Sequence, residues 1–426
     1  MPVTMETRLR RSSTMSRESS RRMPAAHQAP HRRPLRVLFV DSQSELSGAG
    51  FALLTMLEHL DRSEVAPVYV SLAEEQPEIW PRIQALNLPM FHISAGRFRR
   101  LDRSARAMYG LRRLIRTEQI DVVLANSGHP LLYVRPAALA ARRTSAWWVH
   151  GYVSGQAGGD EPIARAQRFL SADALFANSE YTARELAKDF PASAPIRVVR
   201  YGVDLQRFRP DPAAGARTRR EAGLSESETV IGIFGRLQRW KGQHVFLRAA
   251  ALLAGNGVRF TSLAVGGTLH GIEPEYAEEL KQLAESGLLA GRVRFLGNIS
   301  NPQDWMNACD VVVHASIEPE PWGLVVAEAM ACGCAVIASA EGGPLEMIEH
   351  KHTGWLVEPG DEVKLAAWME ILLANPTLRA ELGAAAREHA LWAYDPRRAA
   401  SVLATELWRL WAARIQNVQL LTEAAR

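Results

Sequence analysis

Short, nearly continuous apolar runs, each followed by a turn and then a helical pattern, constrain this chain more than any other feature. RVLFVD (Arg36 to Asp41) is such a run, as expected of a strand buried on both faces of a parallel sheet. A turn-rich stretch, SQSELSGAG, and the helical pattern FALLTMLEHL follow it. VAPVYVSL, DVVLAN, AWWVHG, ADALFAN and IRVVRYG repeat the strand signal, separated by amphipathic or polar stretches. After a Pro- and Arg-rich passage, LQRFRPDPAAGARTRREAG, a second series begins at TVIGIFG and runs through RFTSLAVGG, RVRFLGN, DVVVHAS, CAVIAS and GWLVEPG. Two such series predict two α/β, Rossmann-like domains, each with a parallel sheet. The divisions fall at 1–34 for a basic tail, 35–205 and 206–392 for the domains, and 393–426 for a terminal helix. That helix carries Val402, Leu407, Leu410 and Trp411 at helical spacing, so it packs on one of the two halves.

With 426 residues, 47% of them hydrophobic, the chain suffices for two or three domains. Its 3 cysteines cannot form a disulfide framework, which fits a reducing compartment. No run approaches the roughly 18 apolar residues of a membrane span, and the start lacks the apolar core of a secretory signal. The reading is a cytoplasmic protein, at most peripheral at the inner membrane face. The net charge of +4 is unevenly spread, because residues 1–36 hold nine Arg against two Glu and the remainder is nearly neutral. This Arg-, Ser- and Pro-rich tail has too little apolar surface to offset ordering entropy, so disorder is expected, with an organelle transit peptide as the alternative. A second basic stretch, RFRRLDRSARAMYGLRRLIR (Arg97 to Arg116), holds eight Arg and one Asp. It reads either as a surface for an anionic membrane or as a solvated helix whose Leu101, Met108, Leu111 and Ile115 face the core. Nucleic acid is not expected, since no recognised binding module accompanies the charge.

In open parallel sheets, ligands bind beyond the carboxyl ends of the strands, so the strand-to-helix loops hold the informative residues. Ser47-Gly48-Ala49-Gly50 opens a helix, and its N–H groups suit a phosphate. A dinucleotide fingerprint and a plain tight turn are the rivals; Gly48, Gly50 and Glu74 or Glu75 fit the former, but Leu53 replaces its third Gly. In the second half, GRLQRWKG (Gly235 to Gly242) places Arg236 and Lys241 at the end of the first strand. There a planar fork and a movable point charge suit an anionic ligand, against the alternative of a solvated basic turn. Farther on, IEPEPWGLVVAEAM sets Glu320 at a helix entrance and Glu328 eight residues later, about two turns inside. Two carboxylates there suit sugar or ribose hydroxyls, and the amides of Gly323, Leu324 and Val325 suit a phosphate. The alternative makes Glu320 a helix cap and Glu328 a solvated residue, though apolar neighbours favour a buried, partnered Glu328. Cys332 and Cys334 form Cys-x-Cys, but no second pair or nearby His completes a metal site, so they read as small core residues.

Taken in order, GRLQRWKG, VRFLGNIS, EPWGLVVAEAMACG with its Glu320 and Glu328, EGGPLEMI and TGWLVEPGD resemble the retaining glycosyltransferases of family four, also called group one. VRYGVDLQRFRP (Val199 to Pro210) resembles that family's interdomain strand and linker, and the likeness runs from about residue 35 to 415. The departures are Ala335, where Pro is usual, and Trp322, where Phe is usual. The resemblance implies the GT-B fold, two Rossmann-like domains facing across a cleft, with the last helix crossing back to the first. It implies transfer from a nucleotide-diphosphate sugar to a saccharide or lipid-linked saccharide in glycan synthesis, with anomeric retention. Arg236 and Lys241 would hold the diphosphate and stabilise its growing charge. Glu328 would bind the ribose, Glu320 the sugar hydroxyls, and Leu296, Gly297 and Ile299 the base. Gly48 would approach the diphosphate and His150 the transferred sugar; a satisfied histidine at a strand end is the alternative for His150, and His129 is a weaker candidate. No Asp-x-Asp pair occurs, so neither an obligatory metal nor another cofactor is expected. Donor choice falls to Trp322 and the 297–300 loop, acceptor choice to loops such as 152–164. An NAD-dependent dehydrogenase is disfavoured by Leu53, while a GT-B phosphorylase, epimerase or non-catalytic nucleotide-sugar binder shares the fold and stays open.

Overall fold

The computed structural model describes residues 33–45, 47–95, 101–151, 161–190, 194–225, 227–268 and 273–424. Nearly all of the tail expected to be disordered lies outside the described residues, as do 97–100 of the basic stretch and 152–160 of the acceptor loop. The chain divides into two compact units, with breaks at Gly202/Val203 and Asp395/Pro396. The first unit joins the segment up to Gly202 with the segment from Pro396 onward; the second is the stretch between.

In the first unit β1 (Leu35–Asp41), α1 (Gly48–His59), β2 (Val65–Ser71), α2 (Trp80–Ala85), β3 (Met90–His92), α3 (Leu101–Thr117) and β4 (Val122–Asn126) come first. α4 (Gly128–Ala140), β5 (Thr144–Val149), α5 (Glu161–Leu170), β6 (Ala174–Ala177), α6 (Glu180–Asp189) and β7 (Ile196–Val198) complete the alternation. All pairings are parallel, in the order β3-β2-β1-β4-β5-β6-β7. The winding reverses between β1 and β4, where Val37 pairs with Val122, which opens a crevice beyond their carboxyl ends. Ala107, Leu111 and Ile115 of α3 are buried in the core with Tyr133 and Val134 of α4. The basic stretch is thus a helix whose apolar side faces its own domain, with Arg103, Arg106, Arg113 and Arg116 outward.

The second unit holds α7 (Pro212–Glu221), β8 (Val230–Phe234), α8 (Gln243–Gly255), β9 (Thr261–Val265), α9 (Pro274–Glu285), β10 (Val293–Gly297), α10 (Pro302–Ala308) and β11 (Val311–His314). Then follow α11 (Leu324–Ala331), β12 (Ala335–Ser339), α12 (Pro344–Met347), β13 (Trp355–Val357), α13 (Glu362–Ala374) and α14 (Pro376–Ala393). Its sheet is again parallel, β10-β9-β8-β11-β12-β13, with the reversal between β8 and β11. The last helix, α15 (Pro396–Ala424), packs on α1 of the first unit. Leu403 and Leu407 are fully buried there, and Trp408 Nε1 donates to the Glu64 carbonyl at 3.1 Å. Among the described residues no helix is long and apolar enough to cross a membrane.

Candidate functional site

In the second unit the loops after β8 and β11 are locked together by backbone. Gly242 has φ +70, and a Cβ there would stand 1.9 Å from the Ala315 carbonyl oxygen, so only glycine lets the two loops touch. Ile317 N donates to the Trp240 carbonyl at 2.8 Å across the same seam. This seam brings Lys241 to Glu320: Lys241 Nζ donates to Glu320 Oε2 while resting 4.0 Å from the Trp240 ring centroid. Expectation gave the two residues to different parts of a ligand; the structure pairs them with each other. His314, at the end of β11, and Ser316 complete the cluster, His314 Nε2 and Ser316 Oγ each 3.4 Å from the same Oε2. Burial alone would push the Glu320 carboxyl up, but the Lys241 charge and the His314 contact outweigh it and bring it down to about 2. Glu320 does not cap α11, whose N-cap is Gly323 at φ +96.

Glu328 departs from expectation in two respects. α11 has 8 residues and starts at Leu324, so Glu328 lies little more than one turn inside it. It is half-buried rather than buried, and its carboxylate takes no protein hydrogen bond among the described residues. Apolar neighbours on α11 supply burial but no donor, and that burial pushes the carboxyl up to about 8, against the pull of the Arg207 charge. Arg207 is held by Gln303 Oε1 at 3.0 Å and by the Ser300 carbonyl at 2.8 Å. Arg236 is exposed, and its guanidinium has no protein partner among the described residues. Gly323, Leu324 and Val325 carry the first N–H groups of α11, which no carbonyl inside a helix can satisfy. Leu296 and Gly297 end the edge strand β10, with Ile299 just beyond; Gly297 has φ +63 and no atom within 4 Å of where a Cβ would sit. Trp322 is buried and meets Tyr394 edge-on at 5.9 Å. Ala335 opens β12 opposite Val311. Cys332 and Cys334 are buried with their thiols pushed up by burial, and Cys334 Sγ donates to the Met306 carbonyl.

In the first unit the polar residues gather at the switch point. Asp41 ends β1, Asn126 ends β4 and His150 follows β5. Asn126 Oδ1 lies 2.6 Å from His150 Nε2 and only accepts, so the proton is assigned to Nε2 and Nδ1 accepts from the Tyr201 hydroxyl at 2.5 Å. Asn178 Nδ2 in turn donates to that hydroxyl at 2.9 Å, and Asn126 Nδ2 donates to Asp41 at 3.3 Å. Burial brings His150 down to about 3 and Asp41 up to about 6, so the imidazole is neutral at pH 7. Both ring nitrogens of His150 are taken by the protein, as in a satisfied histidine at a strand end. His129 lies 3.1 Å from Ser42 Oγ and is lowered by burial. Gly48 is exposed at the start of α1, where a Cβ would meet nothing within 4 Å. Sequence reasoning missed Asn126, Tyr201, Arg207, His314 and Ser316. Asn126, His314 and Ser316 were signalled only by position at or just beyond a strand end, which many other polar residues share, and Tyr201 and Arg207 only by lying in the Val199 to Pro210 linker.

Comparison with known proteins agrees with this architecture. The model described as Glycosyltransferase Family 4 matches residues 46–207, and Glycosyl transferases group 1 matches 216–389. The D-inositol 3-phosphate glycosyltransferase of Nocardiopsis dassonvillei is 31% identical over 70% of this chain and 75% of its own. That of Streptomyces scabiei is 34% identical over 64% of this chain, which spans 60% of the relative's length. Anabaena HepE in complex with UDP-glucose superposes with a TM-score of 0.78 at 26% identity, over 88% of this chain and all of that one. Sucrose-phosphate synthase from Thermosynechococcus elongatus, at 21% identity and TM-score 0.75 over 89% of this chain and all of that one, shares the fold.

Proposed function

The chain belongs to glycosyltransferase family four, the group 1 glycosyl transferases with the GT-B fold, and from that premise we propose a retaining, metal-independent hexosyltransferase. Its donor is a nucleotide-diphosphate sugar and its acceptor a saccharide or a lipid-linked saccharide. The observation that carries this reading is a pair of groups in the second unit that take no protein hydrogen bond among the described residues, the exposed Arg236 guanidinium after β8 and the half-buried Glu328 carboxyl on α11, pushed up to about 8. A cation and a carboxylate without protein partners are what a phosphate and a ribose diol would complete.

In this reading Arg236 and Lys241 take the diphosphate, Glu328 the ribose hydroxyls and Glu320 those of the sugar. The amides of Gly323, Leu324 and Val325 assist the phosphates, Leu296, Gly297 and Ile299 border the base, and Gly48 admits the diphosphate. His150, neutral and with both nitrogens engaged, shapes the sugar's surroundings and does not move a proton. The bond from the anomeric carbon to the diphosphate oxygen breaks as the acceptor oxygen bonds to that carbon on the same face. The acceptor proton passes to the leaving phosphate. Arg236 and Lys241 stabilise the charge that grows there. The outward arginines of α3 suit an acceptor carried on an anionic membrane, held chiefly by charge because Ala107, Leu111, Leu114 and Ile115 of that helix are spent in the core.

The test is a panel of nucleotide sugars, beginning with UDP-glucose because the Anabaena protein binds it. Released nucleoside diphosphate is followed with and without chelator, with inositol phosphate among the acceptors because the relatives are named for it. Chelator-resistant release that disappears in Glu320→Ala and Lys241→Ala, both still folded, is the expected result. Phosphate-dependent release would point to a phosphorylase, and near-normal turnover in either variant would sink the site assignment.

A further inference from the structure

Glu320 is held by one of its two oxygens only. Lys241 Nζ, His314 Nε2 and Ser316 Oγ all approach Oε2, whereas Oε1 accepts no hydrogen bond from the described residues. A carboxylate oxygen offers about two lone-pair sites, so three donors saturate Oε2 and leave Oε1 as the acceptor that remains. His314 accepts a cost to take part. Its side chain is 5% exposed and its Nδ1 is buried without a partner, while Nε2 meets Ser316 Oγ at 3.0 Å and Glu320 at 3.4 Å. A proton on Nε2 serves the carboxylate side of the ring and leaves only a lone pair unsatisfied at Nδ1. A proton on Nδ1 would bury an N–H with nothing to receive it. At the end of β11, between Val313 and Ala315, an aliphatic side chain would avoid the orphaned nitrogen that the imidazole buries.

We infer that His314 and Ser316 are positioning residues for Glu320, which fix its carboxylate through Oε2 so that Oε1 alone meets the hydroxyls of the transferred sugar. This inference rests on the proposed function and deepens it. A carboxylate held only by Lys241 would pivot about that contact and present either oxygen, losing selectivity for the sugar while the nucleotide half of the donor is bound as before.

The experiment uses the full chain and two ligands: the nucleoside diphosphate alone, and the corresponding nucleotide sugar that the wild type binds best from UDP-, GDP- and ADP-sugars. The ratio of their dissociation constants isolates what the sugar adds. His314→Leu and Ser316→Ala should leave diphosphate affinity within about twofold and lower the sugar's contribution and kcat by about tenfold. His314→Gln, which keeps an N–H donor, should recover part of that loss. With fewer donors on the carboxylate, the acid limb of sugar-dependent binding should also move up in pH by about one unit. A purely structural role would change Tm and both ligands together. If Glu320→Ala abolishes the sugar's contribution while His314→Leu and Ser316→Ala retain it, this inference is overturned and the proposed function stands. If Glu320→Ala itself retains it, or the wild type binds no nucleotide sugar, the site assignment beneath fails. Should His314→Leu not fold, Ser316→Ala and His314→Gln decide the matter.

Discussion

Glu320 and Glu328 lie eight residues apart, yet their surroundings push them in opposite directions, one down to about 2 and the other up to about 8. Burial acts on both; what differs is that Lys241 and His314 answer the first, whereas only the Arg207 charge reaches the second. Glu328 therefore favours the protonated form when folded. Its contribution to stability is complete below the unfolded carboxyl value of about 4.3 and is lost as pH rises toward 8. Glu328→Gln should thus raise stability at pH 8 by on the order of 2 kcal/mol, change it little at pH 4.5, and weaken nucleotide-sugar binding at both. Denaturant titrations at the two pH values check the sign, and an unchanged difference would mean that the carboxylate is solvated. The two glutamates were legible because a motif names their positions. The opposite states of the pair were not, because Lys241 and Arg207 reach them only through the packing of other loops, and the turn that folds His314 and Ser316 back onto Glu320 leaves no local pattern.

Two glycines separate loop geometry from ligand geometry. Gly242 is required by the protein itself, since any side chain would collide with the Ala315 carbonyl and the backbone has φ +70. Gly48 meets no such demand, for its Cβ would project into space free of protein atoms within 4 Å. Gly242→Ala should therefore cost about 2–4 kcal/mol of stability and dislocate Lys241 from Glu320. Gly48→Ala should leave the melting curve nearly unchanged and lower diphosphate affinity about tenfold, which calorimetry with nucleoside diphosphate would measure. Full affinity in Gly48→Ala would make the loop a plain tight turn. The strands themselves were readable because parallel strands covered on both faces carry nearly continuous apolar runs, as residues 37–40 of β1, 122–125 of β4 and 311–313 of β11 do. β3 escaped notice for the converse reason: Met90–His92 is a three-residue edge strand with no buried residue to imprint a pattern.

At the scale of the molecule, the chain leaves its first unit near Gly202 and returns to it at Pro396, so close that a Cβ on Gly202 would stand 2.4 Å from the Pro396 Cα. The first unit is consequently built from both sides of the break, while the second is one continuous segment. Sequence periodicity exposed the apolar stripe of the last helix, but which half it covers depends on where the chain emerges, which no local pattern encodes. Ala400, Leu403, Ala404 and Leu407 are at most 1% exposed, and a buried leucine contributes about 2 kcal/mol, so losing α15 removes on the order of 5 kcal/mol. That is comparable to the whole stability of an ordinary domain. The segment 203–395 should therefore fold alone with a cooperative melt, whereas 1–202 should not. Adding a peptide of residues 396–424 should restore the melt of 1–202 in a concentration-dependent manner, because it binds the folded form and not the unfolded one. Circular dichroism across a peptide titration checks this, and a cooperative melt of 1–202 without peptide would show that α1 and its neighbours hold their core without the returning helix.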